Sequence, residues 1–379
     1  DNGFKFDFAS ACTLYNKHEQ RMQEIEDELQ RIFPPIIEER WSDKTGKQLK
    51  DKVTVFNPGS RQQVAERLAT IGAVWSELTP TGKPKIDETT LGQNSHLDEA
   101  KAVLEYLIIS KRIGMVRSWL DACGEDGRIH GRVNTIGAIT GRMSHSKPNL
   151  AQIPSAREYR ELFITDDEAQ LVGVDASGLE LRMLAHYMGD KDYTNLILDG
   201  DIHSYNQEAA GLPTRDNAKT FIYGFLYGAG DAKIGEIVGG GAKQGATLKR
   251  KFLQSLPALR RLLDRVGVAA GRGHIKGLDG RRVHVRSEHA ALNTLLQSAG
   301  AIVMKKALVI AVGRLDENSY PYKLVAQVHD EFQVEVPDVY ADRVGVIFRD
   351  AIRQAGVDLG LRCPTEGDIK IGSSWADTH

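Results

Sequence analysis

The first 120 residues follow a helical pattern of apolar and polar positions. Apolar residues recur every three or four positions between residues 14 and 33, among charged ones, until two prolines end the run. A polar connector, residues 42–52, leads to a second helix that Ser60 can cap and that reaches Leu68. A third, longer helix is predicted at residues 97–120. We therefore expect an N-terminal helical segment.

Beyond residue 127 the pattern changes to short strand-like pieces, which places a domain boundary near residue 130. Residues 171–174 are uniformly apolar and predict a buried strand that delivers Asp175 at its end. A turn and a helix at residues 179–188 follow. A carboxylate at the end of a rigid strand is well placed for chemistry, although the same position is common for a residue that caps the next helix.

A second carboxylate follows the same plan near the other end of the chain. Residues 323–328 and 331–336 predict two strands joined by a tight turn that contains Asp330. Such turns are often simple connections between strands at the solvent-exposed surface. If Asp175 and Asp330 lie close together, however, they repel each other unless cations neutralise them, and hard oxygen ligands suit Mg²⁺ or Mn²⁺. This combination favours metal-assisted phosphoryl or nucleotidyl transfer.

Four side chains recur at every fourth position of a helix that Thr214 can cap: Arg215, Lys219, Tyr223 and Tyr227. Since a helix advances about 3.6 residues per turn, they share one broad face, with the cations before the phenols. That order suits a nucleoside triphosphate, whose phosphates the cations bind while the rings meet the sugar and base. An amphipathic surface helix with half-buried tyrosines has the same spacing.

Glycines within and after this helix suggest close approaches and a loop. Gly224 and Gly228 each cost about 1 kcal/mol in a helix interior and are easier to understand where another group comes close. The glycine-rich residues 235–245 lack the pattern of a phosphate-binding loop, so we interpret them as a connector. Helical stretches are predicted near residues 247–263 and 293–312.

The composition is that of a globular protein whose overall charge indicates no particular partner. Of 379 residues, 41% are hydrophobic and 26% are charged, and the formal net charge is −2, so any basic track for nucleic acid must be local. Three widely spaced cysteines indicate a reducing compartment without structural disulfides or a cysteine metal site. No apolar run approaches the roughly 20 residues of a membrane span, so no membrane association is expected. The chain opens without methionine, as is expected of a fragment or a processed product.

Five short blocks, in a fixed order along the chain, carry a recognisable set of motifs. They are Thr140–Ser144 with Pro148–Leu150, Asp175–Arg182, Arg215–Gly228, Asn293 with Gln297, and Val328–Glu331. Together they resemble the motifs of family A DNA polymerases, which include bacterial DNA polymerase I, and in particular the replicative polymerases of short-tailed bacteriophages. The resemblance covers essentially the whole chain.

The resemblance implies an α+β fold in the form of a right hand, with a helical thumb, an antiparallel-sheet palm and helical fingers. The thumb would be residues 1–129, the palm residues 130–187 and 287–379, and the fingers residues 188–286. It implies a template-directed DNA polymerase of DNA replication that extends a primer 3′-hydroxyl with dNTPs and releases pyrophosphate. Two Mg²⁺ ions, for which Mn²⁺ can substitute, primer-template DNA and dNTPs are its expected cofactors and partners. A cytoplasmic monomer is expected, in an infected bacterial cell if the source is a phage.

For the chemistry, the resemblance implies that Asp175, Asp330 and the carbonyl of Ala176 hold the two metals. Glu331 would be an auxiliary acidic residue near them. One metal would lower the pKa of the primer 3′-hydroxyl, and the other would stabilise the triphosphate and the leaving pyrophosphate.

For the incoming nucleotide, the resemblance implies that Arg215, Lys219 and His203 bind the phosphates. Lys219 would also donate a proton to pyrophosphate. For His203 a local alternative remains open, because the segment that begins at Asp201 can simply cap a helix. Tyr227 would stack at the templating position.

For the sugar, Tyr223 would lie below the ring and Glu180 would block a ribose 2′-hydroxyl. Members of this family often have Phe at the position of Tyr223, so we expect acceptance of dideoxynucleotides here. The expected DNA contacts are Arg142 and Gln297, which would probe the minor groove at the primer end, where acceptors are similar for every correct pair. Asn293, Arg286 and His329 are further expected contacts to template or primer, and a structural hydrogen bond is the alternative for Arg142 and Gln297.

Two departures from the phage pattern qualify the resemblance. The phage relatives carry a long thumb insertion that recruits thioredoxin, whereas residues 41–56 here form a short connector, so we expect no thioredoxin dependence and low intrinsic processivity. The only early acidic cluster, residues 26–28, lies on a helix, so a proofreading exonuclease is not expected in this chain. Two other functions remain open: a single-subunit RNA polymerase, which the sugar-blocking Glu180 disfavours, and a catalytically silent DNA-binding module, which would not need both carboxylates and Lys219.

Overall fold

The computed structural model describes residues 2–379, which divide into two compact units. Asp7–Gly127 form the smaller unit, and the larger unit combines the residues up to Phe6 with Arg128–His379. The first strand, β1 (Phe4–Phe6), therefore belongs to the larger unit, where it pairs with strands near residues 129 and 163. Sequence analysis placed it in the helical segment, because three residues are too few to show an alternating pattern.

The smaller unit is built on two long helices of 25 residues each, which shorter elements connect. It contains α1 (Phe8–Ile32), β2 (Ile36–Trp41), β3 (Gln48–Thr54), α2 (Arg61–Ala69), α3 (Glu88–Gln93) and α4 (Asp98–Ala122). Its core includes Ile25 and Leu29 of α1 and Val103 of α4, all fully buried. Ser60 caps α2 as expected, since its hydroxyl accepts the backbone N–H of Gln63. The three helices predicted from apolar spacing are confirmed to within a few residues, except that α1 begins earlier.

Strands β2 and β3 form an exposed hairpin where sequence analysis expected a polar connector. Ile37 is paired with Val53 and Trp41 with Gln48, and Gly46 takes a positive φ of 64° in the turn. Ile37 and Trp41 are 65% and 58% exposed. Because neither face of the hairpin is buried, charged and apolar residues are interspersed on it, and no strand pattern stands out in the sequence. The connector interpretation was wrong.

The larger unit contains a central sheet and most of the helices. Its first half consists of β4 (Arg128–Ile129), β5 (Arg132–Asn134), β6 (Ser144–Ser146), α5 (Arg157–Arg160), β7 (Phe163–Ile164), β8 (Ala169–Ala176), α6 (Leu179–Met188), α7 (Lys191–Leu198), α8 (Ile202–Ala210) and α9 (Arg215–Leu226). Its second half consists of α10 (Asp231–Glu236), α11 (Ala242–Ser255), α12 (Pro257–Ala270), β9 (His274–Lys276), β10 (Arg282–His284), α13 (Ala291–Glu317), β11 (Lys323–Val328), β12 (Glu331–Pro337), α14 (Ala341–Asp358) and β13 (Gly367–Gly372).

A four-stranded antiparallel sheet of order β11-β12-β8-β13 forms the centre of this unit. Helix α14 packs on β8 and β13 and also contacts α13. Val172, Val174, Phe332 and Val334 are fully buried, which explains why the two predicted strand regions are so apolar. The strands predicted at residues 171–174, 323–328 and 331–336 are confirmed, as is the α+β class.

Helix α13 runs through the core of the larger unit. The segment Glu288–Glu317 is long and apolar enough, by length and composition, to cross a membrane, but 56% of its most apolar window is buried inside the protein. A core helix surrounded by other elements has the same composition. The expectation that no stretch approaches such a span was therefore wrong for this helix, in which Lys305 and Lys306 interrupt the apolar run.

The glycine-rich region is mostly helical rather than a connector. Helices α10 and α11 extend into it from both sides, so that only residues 237–241 link them. A Cβ at Gly245 would lie 1.8 Å from the carbonyl oxygen of Asp231, and one at Gly235 would lie 2.1 Å from that of Gly241. Glycine is thus needed where the two helices touch. The single helix expected at 247–263 is divided, because Pro257 begins α12.

Candidate active site

The register of the central sheet brings acidic side chains together at one end. Asp175 on β8 is paired with Glu331 on β12 and with Asp368 on β13. Directly paired residues of an antiparallel sheet project to the same face. Asp330 lies in the turn before β12, where its carbonyl accepts the backbone N–H of Ala176 at 2.8 Å. The two strand ends that carry the expected metal carboxylates therefore meet.

A cleft of about 390 Å³ opens at this end of the sheet. Strand β8, the β11–β12 turn, helix α6 and the face of α9 all contribute to its wall. Most of its lining residues are ones that the sequence singled out: Arg142, Asp175, Ala176, Glu180, Tyr223, Tyr227, His329 and Asp330. Residues from four separate blocks of the sequence thus meet in one cavity.

The carboxylates of the cleft are held in surroundings that disfavour their ionised forms. Desolvation by the surrounding protein, followed by the charges of Glu331 and Asp330, raises the pKa of Asp175 to about 7. Desolvation also raises the pKa of Asp330, although the guanidinium of Arg142 opposes it. Protein cations alone therefore leave this acidic cluster incompletely neutralised.

A divalent cation fits the donor atoms of the cleft. Two carboxylates that line the cleft and have raised pKa values provide the hard ligands that Mg²⁺ and Mn²⁺ prefer. Within residues 2–379, no three His, Cys, Asp or Glu side chains meet as a ready-made metal-ligand group. Such a cation would therefore complete its coordination with backbone, substrate or water oxygens, as Mg²⁺ commonly does.

Glu331 is fully engaged by side chains near the C-terminal end of the sequence. Its Oε1 accepts hydrogen bonds from Gln333 and from the indole N–H of Trp375, the latter at 2.7 Å, and its Oε2 lies 2.7 Å from His379 Nδ1. Burial alone would raise the pKa of Glu331, but the hydrogen bonds from His379, Gln333 and Trp375 bring it below its usual value. Glu331 therefore stays ionised beside Asp175, and its oxygens face His379 and Trp375.

Arg142, expected at the primer end, contacts carboxylates in this structure. Its Nη2 lies 3.4 Å from Glu180 Oε1 and 3.4 Å from Asp330 Oδ1. Glu180 is buried at the start of α6, and burial raises its pKa, while a hydrogen bond with Tyr227 and the charge of Arg142 lower it. Arg142, Glu180 and Asp330 thus form a small ionic cluster inside the cleft.

Helix α9 begins where the sequence indicated but ends at Leu226, two residues before Gly228. The hydroxyl of Thr214 accepts the backbone N–H of Asn217, and the helix runs from Arg215 to Leu226 with Tyr227 as its C-terminal cap. Tyr223 is half-buried, and its ring centre lies 6.4 Å from that of Tyr227. Both tyrosines line the cleft, whereas the cations Lys219 and Arg215, one and two turns before Tyr223, lie exposed outside its lining.

Asp201 connects the side chain of Arg215 to the start of the helix that carries His203. The carboxylate of Asp201 caps α8 by accepting the backbone N–H groups of His203 and Ser204. The same carboxylate holds Arg215, with Nε to Oδ2 at 2.8 Å. The cap that sequence analysis left open for this segment is thus present. The ring of His203 is partly buried, its Nδ1 has no hydrogen-bond partner, and burial and Arg215 lower its pKa.

The glycines of α9 are explained by the protein itself. A Cβ at Gly224 would lie 3.3 Å from the side chain of Ile234 in α10. Gly228 has a φ of +75°, and a Cβ there would lie 2.4 Å from the carbonyl oxygen of His289. The close approach that we expected at both positions is therefore made by α10 and by the segment before α13.

The remaining expected DNA contacts lie on two neighbouring parts of the larger unit. Asn293 and Gln297 are one turn apart on α13 and are partly buried. Arg286 is exposed in the segment between β10 and α13. His329 takes a positive φ of 53° in the turn beside Asp330 and lines the cleft. Only His329 of these four is brought into the cleft.

Asp368 and Asp201 are acidic residues of this region that sequence analysis did not select as site residues. Asp368 lies on β13 opposite Asp175 and accepts a hydrogen bond from the hydroxyl of Ser177 at 2.7 Å. The alternation of small, acidic and apolar residues in Gly367–Gly372 could have indicated a strand. Its position beside β8 is a long-range pairing that local pattern does not show. Asp201 was considered only as a helix cap, because its pairing with Arg215 joins two different helices.

Comparisons with known proteins identify relatives for nearly the whole chain. A family model described as DNA polymerase family A matches residues 20–377. The chain is 43% identical over 372 residues to the DNA-directed DNA polymerase of Enterobacteria phage T3 and 43% identical over 376 residues to that of Escherichia phage T7. Each match covers 86% of this chain and 53% of the relative, so the chain spans about half the length of these phage proteins.

A more distant relative and a solved structure also match this chain. The thermostable DNA polymerase I of Thermus thermophilus is 28% identical over 352 residues, which cover 84% of this chain and 42% of that protein. Among solved structures, the POL domain of Pol1 from M. smegmatis, in a complex with DNA primer-template and dNTP, superposes with a TM-score of 0.86. This match covers 99% of the chain and 68% of that structure at 22% identity, and it shows the fold. The chain belongs to DNA polymerase family A.

Proposed function

We propose that this chain is a template-directed DNA polymerase that adds dNTPs to a primer 3′-hydroxyl in DNA replication. The observation that carries the proposal is the single cleft in which Asp175 and Asp330 face Tyr223, Tyr227 and Glu180. Such a cavity combines an acidic end for metal-bound phosphates with aromatic side chains for a nucleoside. Family membership and the phage relatives support the same assignment.

Divalent cations are the implied cofactor, and we infer two Mg²⁺ ions, with Mn²⁺ able to replace them. Asp175, Asp330 and the carbonyl of Ala176 would hold them. When bound, these ions neutralise the carboxylates and stabilise negative charge on the attacking and leaving oxygens of the transfer. Glu331 supports the site as an auxiliary acidic residue, because its hydrogen bonds with Trp375 and His379 hold a negative charge beside Asp175.

The exposed start of α9 is the proposed binding site for the triphosphate. Lys219 is free to approach the phosphates one turn after Arg215 and to donate a proton to the leaving pyrophosphate. Arg215 contributes the adjacent positive charge once a phosphate replaces Asp201 as its partner. Burial and the charges of Arg215 and Lys219 lower the pKa of His203, so its ring lies near this pair.

The nucleoside would occupy the inner part of the cleft. Tyr223 provides the surface below the sugar, and Tyr227 at the end of α9 supports the templating base. Glu180, one of whose carboxylate oxygens is buried without a partner, blocks the place of a ribose 2′-hydroxyl. This arrangement favours dNTPs over rNTPs. Dideoxynucleotides would be accepted, with the phenol of Tyr223 in place of the missing 3′-hydroxyl interaction.

The primer-template would contact residues around the cleft. We assign the primer end to Arg142 and Gln297 and further backbone or base contacts to Asn293, Arg286 and His329. We also assign residues 1–129 to the thumb, 130–187 with 287–379 to the palm, and 188–286 to the fingers. The phage relatives favour the cytoplasm of an infected bacterial cell as the place of action. We further propose a monomer that does not depend on thioredoxin, because the thumb segment has only the short hairpin of β2 and β3.

Primer extension with Mg²⁺ on a defined primer-template tests the proposal. Wild type is expected to extend with dNTPs and not with rNTPs, and Asp330→Asn, which keeps the shape of the side chain, is expected to abolish extension. Asp338→Asn is the matched control, because this exposed aspartate lies at the opposite end of β12. Equal use of rNTPs would instead identify an RNA polymerase. DNA binding without extension would identify a binding module.

A further inference from the structure

Arg142 occupies a position that is relevant to both the metal and the DNA. A single nitrogen, Nη2, lies 3.4 Å from an oxygen of Glu180 and 3.4 Å from an oxygen of Asp330. The Arg142 side chain is only 17% exposed, and that of Asp330 is 23% exposed. In the absence of any other cation, this guanidinium is therefore a counter-charge for an expected metal ligand.

The contacts that hold Arg142 are incomplete. Its Nε is buried without a hydrogen-bond partner, and so is Oε2 of Glu180. A guanidinium in a committed ion pair usually donates two parallel hydrogen bonds at about 2.7–2.9 Å. Each buried polar atom without a partner costs on the order of 1–3 kcal/mol. A side chain held in this way can exchange one partner for another with little net loss.

We propose that Arg142 is an exchangeable counter-cation. It neutralises Asp330 and Glu180 in the DNA-free protein, and a divalent cation that binds Asp330 displaces it and makes its guanidinium available to the primer end. The inference rests on the proposed function, since it takes Asp330 as a metal ligand and the primer as the second partner. It adds a thermodynamic coupling between metal binding and primer binding, which neither the contact with Asp330 nor the contact with the primer implies by itself.

The exchange has two thermodynamic consequences. Without DNA, Arg142 competes with the metal for Asp330, so it weakens metal binding. With DNA present, the displaced guanidinium gains a new partner, so metal and primer-template strengthen each other's binding by the same factor. Arg142 thus acts as a positioning residue that links the two binding events.

Metal affinity of the DNA-free protein tests the competition directly. Mn²⁺ binding is measured by electron paramagnetic resonance for wild type, Arg142→Gln and Lys305→Gln. We expect Arg142→Gln to bind Mn²⁺ about five- to tenfold more tightly than wild type. Lys305 lies in the same pocket as Arg142 and His329 and bonds to the carbonyl of Thr135, so Lys305→Gln removes a nearby charge without touching the carboxylates and is expected to change the affinity less.

Misfolding cannot produce the expected gain, because a damaged cleft binds metal more weakly. Unchanged or weaker Mn²⁺ binding by Arg142→Gln overturns the exchange. An equal gain in Lys305→Gln also overturns it, because the effect would then come from the general field of positive charge. Arg142→Lys, which keeps the charge, is expected to remain within about twofold of wild type.

DNA binding tests the coupling. The dissociation constant of a primer-template with a dideoxy primer end is measured by fluorescence anisotropy in EDTA and in Mg²⁺. We expect Mg²⁺ to tighten binding to wild type about fivefold more than binding to Arg142→Gln. Arg286→Gln, whose exposed side chain does not line the cleft, is expected to lose affinity equally in both conditions. The same Mg²⁺ effect in Arg142→Gln as in wild type overturns the coupling while leaving the polymerase assignment intact, whereas failure of wild type to bind or extend DNA overturns both.

Discussion

Asp201 binds Arg215 through two hydrogen bonds, at 2.8 Å and 3.2 Å, and at the same time caps helix α8. A triphosphate that binds Arg215 must therefore compete with this carboxylate. Asparagine caps a helix as well as aspartate does, so Asp201→Asn removes the charge and keeps the cap. We expect the dNTP dissociation constant to fall about two- to fivefold, as suits an exposed ion pair.

Equilibrium binding of a dNTP to the complex with a dideoxy-ended primer measures this change. Asp216→Asn is the matched control, because Asp216 is an exposed acid in the first turn of α9 and forms no ion pair with Arg215 in the structure. Equal gains in both variants would show that the net charge matters and the Asp201–Arg215 contact does not. A loss of affinity in Asp201→Asn would show that Asp201 orients Arg215 for the phosphates.

Tyr223 offers a prediction about the sugar of the incoming nucleotide. Its half-buried phenol lines the cleft beside Glu180. We expect Tyr223→Phe to lower incorporation of dideoxynucleotides relative to dNTPs by about tenfold, the worth of one hydrogen bond. Single-turnover incorporation of each nucleotide measures the ratio. Comparable ratios for wild type and Tyr223→Phe would contradict the role of the hydroxyl.

An ionic cluster with a buried pair, Arg128 and Glu335, supports the sheet away from the cleft. Arg128 donates to both oxygens of Glu335 at 2.7 Å and 2.9 Å and to Asp166 at 2.5 Å, and Lys323 binds the same two carboxylates. Arg128→Met leaves the buried Glu335 short of a partner, so we expect it to lower the free energy of unfolding by about 3 kcal/mol. The added change Glu335→Gln should restore part of this loss. Urea unfolding measures the free energy of unfolding of Arg128→Met, of Glu335→Gln and of the double variant. If the loss in the double variant equals the sum of the two single losses, the pairing is contradicted.

Tyr106 makes the smaller unit sensitive to alkaline pH. Its hydroxyl donates to Glu26 at 2.9 Å, and burial, together with that carboxylate, raises its pKa to about 12. The unfolded phenol loses its proton near pH 10, before the folded one, so the unfolded state is favoured as the pH rises from about 10 to 12. Stability should therefore fall by up to about 2 kcal/mol more over this range in wild type than in Tyr106→Phe. The free energy of unfolding is measured for both proteins at each pH. An equal decrease in wild type and in Tyr106→Phe would contradict this role of Tyr106.

Local chemistry made parts of the fold predictable. Helix α6 was predicted at residues 179–188 and has those limits, because Gly178 and Gly189 flank it with positive φ values of 56° and 64°. Helix α9 was equally predictable, since Thr214 caps its start. The turn that carries Asp330 followed from two apolar strands with few polar residues between them. In each of these cases the residues that determine the structure are neighbours in sequence.

Features that depend on distant partners were not predictable. The hairpin of β2 and β3 buries neither face, so it lacks the alternation that identifies a strand. The contacts of Arg142 with Glu180 and Asp330 join positions far apart in sequence, and the sequence alone indicated only that Arg142 belongs to a motif. Pairing of Asp368 with Asp175 likewise depends on sheet order, which short-range patterns leave open.

The order of strands in the central sheet also determines when the cleft can form during synthesis. Strand β8 emerges from the ribosome near the middle of the chain, yet both of its neighbours in the sheet, β12 and β13, are made from residue 331 onwards. Asp175 therefore lacks its neighbour Glu331 until translation passes residue 331 and its neighbour Asp368 until it passes residue 368, and Glu331 waits longer still for Trp375 and His379. A nascent chain can fold its helices early, but its acidic centre assembles only after nearly all of these residues have been joined.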